Sequence, residues 1–186
     1  MQLLPKDAVL IIVDVQEGFD DPKWGRRNNP QAEQNIARLL EAWRKSGRPV
    51  IHVQHLSTDL NSPLHPDSPG SQIKKLVEPA AGEPIVQKRV NSAFIGTDLE
   101  QLLREHRYRT LVITGLTTPH CVSTTTRMAA NLGFDTFIVS DATAAFDITG
   151  HTGEFHPAEQ IHAVSLSTLH QEFATVVNTE DVIGGL

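Results

Sequence analysis

The stretch AVLIIVD, Ala8 to Asp14, is apolar at every position except the last. A strand with one face in water alternates apolar and polar residues. An unbroken short apolar run is instead covered on both faces, which places it inside a parallel sheet flanked by helices. The rest of the chain repeats the theme. NPQAEQNIARLLEAWRKSG carries Ile36, Leu39, Leu40 and Trp43 at helical spacing, with Gly47 placed to end the helix. PVIHVQ and EPIVQK read as the second and third strands. TDLEQLLREHR reads as a helix with Thr97 as N-cap and Glu100 three residues on. TLVITG is the fourth strand, CVSTTTRMAANLG a helix ending at Gly133, and DTFIVSDAT the fifth strand. PAEQIHAVSLSTLHQEF is the next helix and ATVVNT a sixth, edge-like strand.

This alternation predicts an α/β fold: a three-layer, doubly wound, mainly parallel six-stranded sheet of Rossmann-like type, in one domain over residues 1–186. The segment from Leu56 to Gly82 is rich in Pro, Ser and His. It reads as a long loop with one short helix, and a loop of that length in a compact domain is more often functional than idle.

In open parallel sheets, ligands bind beyond the carboxyl ends of the strands. Strand one ends at Asp14 and strand three at Lys88. Strand four runs into TGLTTPHC, with Cys121 at the start of the next helix. An acid, an amine and a thiol therefore converge on one face if these strands are neighbours. The thiolate is the reactive form of cysteine, and a helix N-terminus and a nearby ammonium both favour it, lowering the thiol pKa. A carboxylate beside it can take the thiol proton and return it to a leaving amine. The backbone N–H groups of Thr117 and Cys121 are placed to cradle an oxyanion. Together these parts predict cysteine-based acyl transfer. Each alone has a plainer reading: Cys121 as a small buried hydrophobe, Asp14 as a turn acid, Lys88 as a solvated lysine.

The remaining candidates surround this trio. Phe19 and Trp24 follow strand one, and either form an apolar wall over a small planar substrate or seal the loop onto the core. Asn91, Ser92 and Phe94 follow Lys88 and are expected near the mouth. Asn91 either donates to a substrate carbonyl or makes a turn. His55 and His120 are candidates for orienting substrate. His120 adjoins Cys121 but points elsewhere on the helix start, so it is not cast as general base. Gln16 is expected to brace the Asp14 loop.

The segments IIVDVQEGF, VQKRVNSAF, VITGLTTPHCVSTTTRMAANLGF and DTFIVSDATAAF, in that order, resemble the isochorismatase-like cysteine hydrolase superfamily. That group includes nicotinamidases, N-carbamoylsarcosine amidohydrolase, other small-amide hydrolases and the isochorismatases proper, and the resemblance covers nearly the whole chain. It implies a triad of Asp14, Lys88 and Cys121, an oxyanion hole from the N–H groups of Thr117 and Cys121, and a non-proline cis peptide before Thr117. It also implies a homo-oligomer. Members that hydrolyse a vinyl ether typically lack the cysteine, so Cys121 favours C–N bond hydrolysis of an amide, imide or ureido compound through a thioester. Isochorismate hydrolysis, with Asp14 as general acid, and a non-enzymatic binding role are the alternatives. Nicotinamidases usually carry an Asp-and-His metal site after the second strand. Here HVQHLSTDLNSPLHP puts His55 near the expected metal Asp and lacks that spacing, so neither a metal nor a cofactor is expected.

Charge and composition narrow the partners. The net charge is −6 with a sequence pI near 5.8, and the basic residues are scattered. Nucleic acid and membrane are not expected partners, and a small-molecule substrate is. One cysteine makes no internal disulfide and MQLLPKD has no apolar signal-peptide core, so a cytoplasmic location is expected. Ile148 and Phe155, in ITGHTGEFHP, are expected at an interface or in a lid.

Overall fold

A computed structural model describes residues 4–186; Met1, Gln2 and Leu3 of the MQLLPKD stretch lie outside the described residues. The six main strands are β1 (Val9–Val13), β2 (Val50–His55), β3 (Ile85–Lys88), β4 (Thr110–Leu116), β5 (Asp135–Ala144) and, after a small hairpin of β6 (Ile148–Thr149) and β7 (Phe155–His156), β8 (Thr175–Val177). They form one sheet in the order β3-β2-β1-β4-β5-β8, and every pairing is parallel. The helices are α1 (Ala32–Ser46), α2 (Leu99–Glu105), α3 (Ser123–Asn131), α4 (Ala158–Leu169) and α5 (Thr179–Ile183).

The period of two along β1 explains the layers. Val9, Ile11 and Val13 enter a core shared with Leu99 and Leu103 of α2, Ala129 of α3 and Leu169 of α4. Leu10 and Ile12 enter the opposite core, with Ile36, Leu39, Leu40 and Trp43 of α1 and Val182 of α5. Both faces of β1 are buried, as its unbroken apolar run requires. No helix of the described residues is long and apolar enough to cross a membrane.

The winding direction reverses between β1 and β4, which are adjacent. That switch point opens a crevice at the carboxyl end of the sheet. Gly115 lies in its floor at φ 118, and a Cβ there would stand 1.9 Å from the carbonyl oxygen of Val13. Only glycine lets β4 pass β1 this closely.

Several boundaries differ from the sequence reading. Asp98, not Thr97, is the N-cap of α2; the Thr97 hydroxyl instead donates to the Ala93 carbonyl and accepts from the Leu99 N–H. The Leu56–Gly82 loop holds two single 3₁₀ turns, Pro69–Ser71 and Lys75–Val77, rather than one short helix. Helix α4 stops at Leu169 instead of Phe173: His170 is already extended (φ −63, ψ 130), and Gln171 follows in the left-handed region at φ 68. Helix α5 follows Asn178, whose side chain accepts from the Asp181 N–H at 2.9 Å. Its signal was present in NTED, a capping residue ahead of two acids.

Candidate active site

Asp14 is the residue at which β1 ends, and its backbone takes the left-handed conformation (φ 52). Its side chain is fully buried. Lys88 ends β3, two strands away, so only a long side chain can cross β2 to reach Asp14. It does so under cover: its Nζ lies 2.7 Å from Asp14 Oδ2, with both side chains inaccessible to solvent. The ammonium donates to Cys121 Sγ at 3.3 Å, to the Val90 carbonyl at 3.1 Å and to His55 Nδ1 at 2.9 Å. Its three N–H groups are thus directed at three other acceptors. The Asp14 contact is one of charge, and neither carboxylate oxygen has a well-directed hydrogen bond.

Cys121 sits in a π-helical turn, Thr118–Val122, that leads into α3. The Leu116–Thr117 peptide before the turn is cis. The Thr117 carbonyl accepts from the N–H groups of His120 (3.1 Å) and Val122 (3.2 Å). The turn is braced from behind: His162 of α4 has Nδ1 2.9 Å from Thr118 Oγ1, and Asn29 Nδ2 lies 3.4 Å from His162 Nε2. The same Asn29 amide donates to the carbonyls of Ser140 and Thr143. Those two bonds use both N–H groups of the Asn29 amide, so its approach to His162 Nε2 is a packing contact that leaves no third hydrogen to donate.

The electrostatics differ in sign from the sequence expectation. Burial, and then the Asp14 carboxylate, push the Cys121 thiol up to about 12 against the opposing pull of Lys88. The turn and the ammonium alone would lower it; desolvation outweighs them. Burial also raises Asp14 above its ordinary 3.8, with Lys88 opposing. One ammonium therefore faces two groups that each resist ionising, and it can balance one negative charge in this buried cluster but not two. His55 is held down to about 4 by burial and by the Lys88 charge, so it is neutral above that pH and accepts at Nδ1.

A cavity of about 580 Å³ opens above this cluster. Cys121, Thr117, His55, Asn91 and His120 reach it, as do Phe19 and Trp24. His120 Nδ1 lies 3.0 Å from Thr117 Oγ1, and burial lowers its pKa. Phe94 does not reach the cavity: its ring stacks on Phe134 with centroids 6.0 Å apart and joins the core on the α2 side. Ser92 is buried, and its hydroxyl accepts from the Phe94 N–H, which turns that ring inward.

The apolar wall is larger than the sequence shows. Phe19 and Trp24 stand 5.5 Å apart, and Phe146 closes the triangle at 6.3 and 5.9 Å. Leu64, from the long loop, joins the same cluster. Trp24 is fixed by donation from its indole N–H to the Gly18 carbonyl at 2.8 Å. Ile148 of the β6–β7 hairpin lines the cavity and is only half-exposed, while Phe155 on the paired strand is 65% exposed. Gln16 clamps the floor: its amide donates to the carbonyls of His55 and Ser71 and accepts from the His55 N–H.

The segment after β2 does not gather metal ligands of its own. Among the described residues, the one group of three whose ligand atoms lie within 4.8 Å of one another is Asp14, His55 and Cys121. His52 is directed away, to Glu83 at 2.9 Å.

The chain is similar to known proteins over nearly its whole length. A family model described as the isochorismatase domain matches residues 8–181. The isochorismatase family protein YrdC of Bacillus subtilis is 55% identical over 180 residues, spanning 97% of this chain and 96% of YrdC. An isochorismatase-family structure from Chromobacterium violaceum superposes with a TM-score of 0.96 at 42% identity, covering 100% of this chain and 96% of that one. The N-carbamoylsarcosine amidase of an Arthrobacter species is 34% identical over 117 residues, which is 54% of this chain and 44% of the amidase.

Proposed function

The chain belongs to the isochorismatase family of hydrolases, and we propose that it cleaves a C–N bond of a small amide, imide or ureido compound through a thioester on Cys121. The observation that carries this reading is the Lys88 ammonium set between a buried, poorly bonded carboxylate and the sulfur of Cys121.

In the proposed cycle Asp14 takes the thiol proton as Cys121 attacks the substrate carbonyl. The negative charge moves from oxygen to sulfur while Lys88 stays in contact with both, so the buried site never carries two anions beside one cation. The thiol's reluctance to ionise at rest is consistent with this, because proton transfer and attack then occur together. The N–H groups of Thr117 and Cys121 hold the oxyanion. Protonated Asp14 gives its proton to the departing amine, and the thioester remains. Water, activated by the Asp14 carboxylate, hydrolyses it to the acid and restores the thiol. The name of the Arthrobacter relative, an amidase of a carbamoyl compound, supports a C–N bond as the target. Phe19, Trp24 and Phe146 offer a flat apolar surface to the substrate body, with His55, Asn91 and His120 as polar contacts.

The test is a panel of primary amides, cyclic imides and ureido acids, with isochorismate included. The expected result is release of amine or ammonia from one class, with a Cys121 acyl adduct seen by mass spectrometry on rapid quench. Cys121→Ala is expected to lower kcat by at least about 10⁴-fold. Full activity in Cys121→Ala, or turnover of isochorismate alone, would contradict the proposal. A homo-oligomer in solution is also proposed, on the strength of exposed apolar side chains such as Phe155, Ile95 and Leu60.

A further inference from the structure

Four atoms surround Lys88 Nζ: Asp14 Oδ2 at 2.7 Å, His55 Nδ1 at 2.9 Å, the Val90 carbonyl oxygen at 3.1 Å and Cys121 Sγ at 3.3 Å. Three of them, a carboxylate oxygen, an imidazole nitrogen and a cysteine sulfur, are the ligand types of a zinc site with one position left open. The cage is assembled on rigid elements. Asp14 and His55 are the ends of adjacent parallel strands, Lys88 pairs in register with His55, and Gln16 holds the His55 backbone from both sides. Ligand atoms of Asp14, His55 and Cys121 already lie within 4.8 Å of one another, against roughly 3.5 Å in a tetrahedral site. Replacing the ammonium by a metal ion would require each ligand to move inward by only about 0.6–1.0 Å, given bonds of about 2.0–2.3 Å.

We propose that Lys88 is the resident cation of a metal-competent cage, and that its ammonium excludes zinc-like divalent ions from Asp14, His55 and Cys121. The charges work in that direction. A divalent ion entering beside Lys88 would meet a buried positive charge at close range with little water to screen it. The Lys88 side chain is inaccessible to solvent and its Nζ is held among four partners, so displacing it would break all four contacts at once. Without the ammonium, the cage keeps one carboxylate, a neutral imidazole and a thiol. A divalent ion then binds with loss of one proton, M²⁺ + Cys–SH → M²⁺(⁻S–Cys) + H⁺, and the ion with one thiolate and one carboxylate is neutral overall. The role is separate from nucleophilic chemistry, and holds whether or not Cys121 forms a thioester.

Lys88→Ala removes the cation and leaves the ligands. Titrated with Co²⁺, this variant is expected to bind one ion at least about 100-fold more tightly than the wild type. The complex should show visible bands of a tetrahedral ion and a near-ultraviolet thiolate-to-cobalt band, and release one proton. The charge-transfer band should vanish in Lys88→Ala/Cys121→Ser. A folded Lys88→Ala protein that binds Co²⁺ no better than wild type, or a band that survives loss of Cys121, would overturn the proposal. The wild type supplies an arm that needs no variant. Equimolar Zn²⁺ should leave the alkylation rate of Cys121 unchanged, and protection of Cys121 by Zn²⁺ with Lys88 in place would equally overturn it.

Discussion

At the scale of single residues, Cys121, Asp14 and Lys88 were legible because each terminates or follows a strong apolar strand, and a parallel sheet gathers such ends on one side. What the sequence could not convey was the sign of the electrostatics at the sulfur. A residue string shows the ammonium and the helical turn, both of which favour a thiolate. It does not show how completely the site is desolvated, and desolvation wins. Phe146 was missed for a different reason. It lies 127 positions from Phe19 in the chain, and nothing local marks it as the third side of an aromatic wall. Phe94 was misplaced because its neighbours Asn91 and Lys88 are at the site, while the Ser92 hydroxyl bends the chain and sends its ring into the core.

At the scale of elements, the six strands of the main sheet were legible to within a residue or two, since apolar runs are their own signal, while the two-residue strands β6 and β7 carry no such run and were not. The long loop was not, because its order comes from contacts with other segments. Lys74 of that loop pairs with Asp20 at 2.6 Å and with Glu33 of α1 at 2.9 Å, and Glu33 also holds Arg27. Burial alone would raise the Glu33 carboxyl, but Arg27 and Lys74 outweigh it and hold it down to about 2. The folded-state pKa is therefore depressed below the ordinary 4.5. The resulting stability is present above pH 4.5 and lost as pH falls through about 2. Glu33→Gln is expected to cost about 3 kcal/mol at neutral pH, because the partly buried Arg27 loses its carboxylate partner and Lys74 keeps only the exposed Asp20. In urea unfolding the gap between variant and wild type should narrow across that acid window, and a gap independent of pH would contradict the assignment. At the switch point, Gly115→Ala drives a methyl into the Val13 carbonyl. A loss of at least about 3 kcal/mol is expected from overpacking and a left-handed alanine together. A thermal midpoint equal to wild type would show that β1 and β4 can part there.

At the scale of the whole molecule, the order β3-β2-β1-β4-β5-β8 makes the site possible. It sets β1 and β4 side by side, so that Asp14 and the Cys121 turn meet, and leaves β3 within reach of one lysine side chain. The wall of the cavity is then assembled from the loop after β1, the long loop after β2 and the segment after β5. That explains why catalytic candidates were readable from strand ends while the shape of the pocket was not. The apolar surface left exposed at Phe155, Ile95 and Leu60 bears on assembly. Light scattering during size exclusion is expected to give a mass of at least two chains, and a monodisperse monomer at micromolar concentration would contradict it.

The central claim is that Asp14 and Lys88 together govern the proton on Cys121. The most direct measurement is the rate of iodoacetamide labelling of Cys121 against pH, in wild type and in Asp14→Asn. In the wild type, labelling should keep rising well past neutral pH, because burial and the Asp14 charge hold the thiol proton on. Asp14→Asn removes that charge and leaves the Lys88 ammonium, so the rise should move to lower pH while amide hydrolysis is lost. Identical profiles in the two proteins, or a Cys121 that labels only on unfolding, would show that the sulfur is packing and not chemistry.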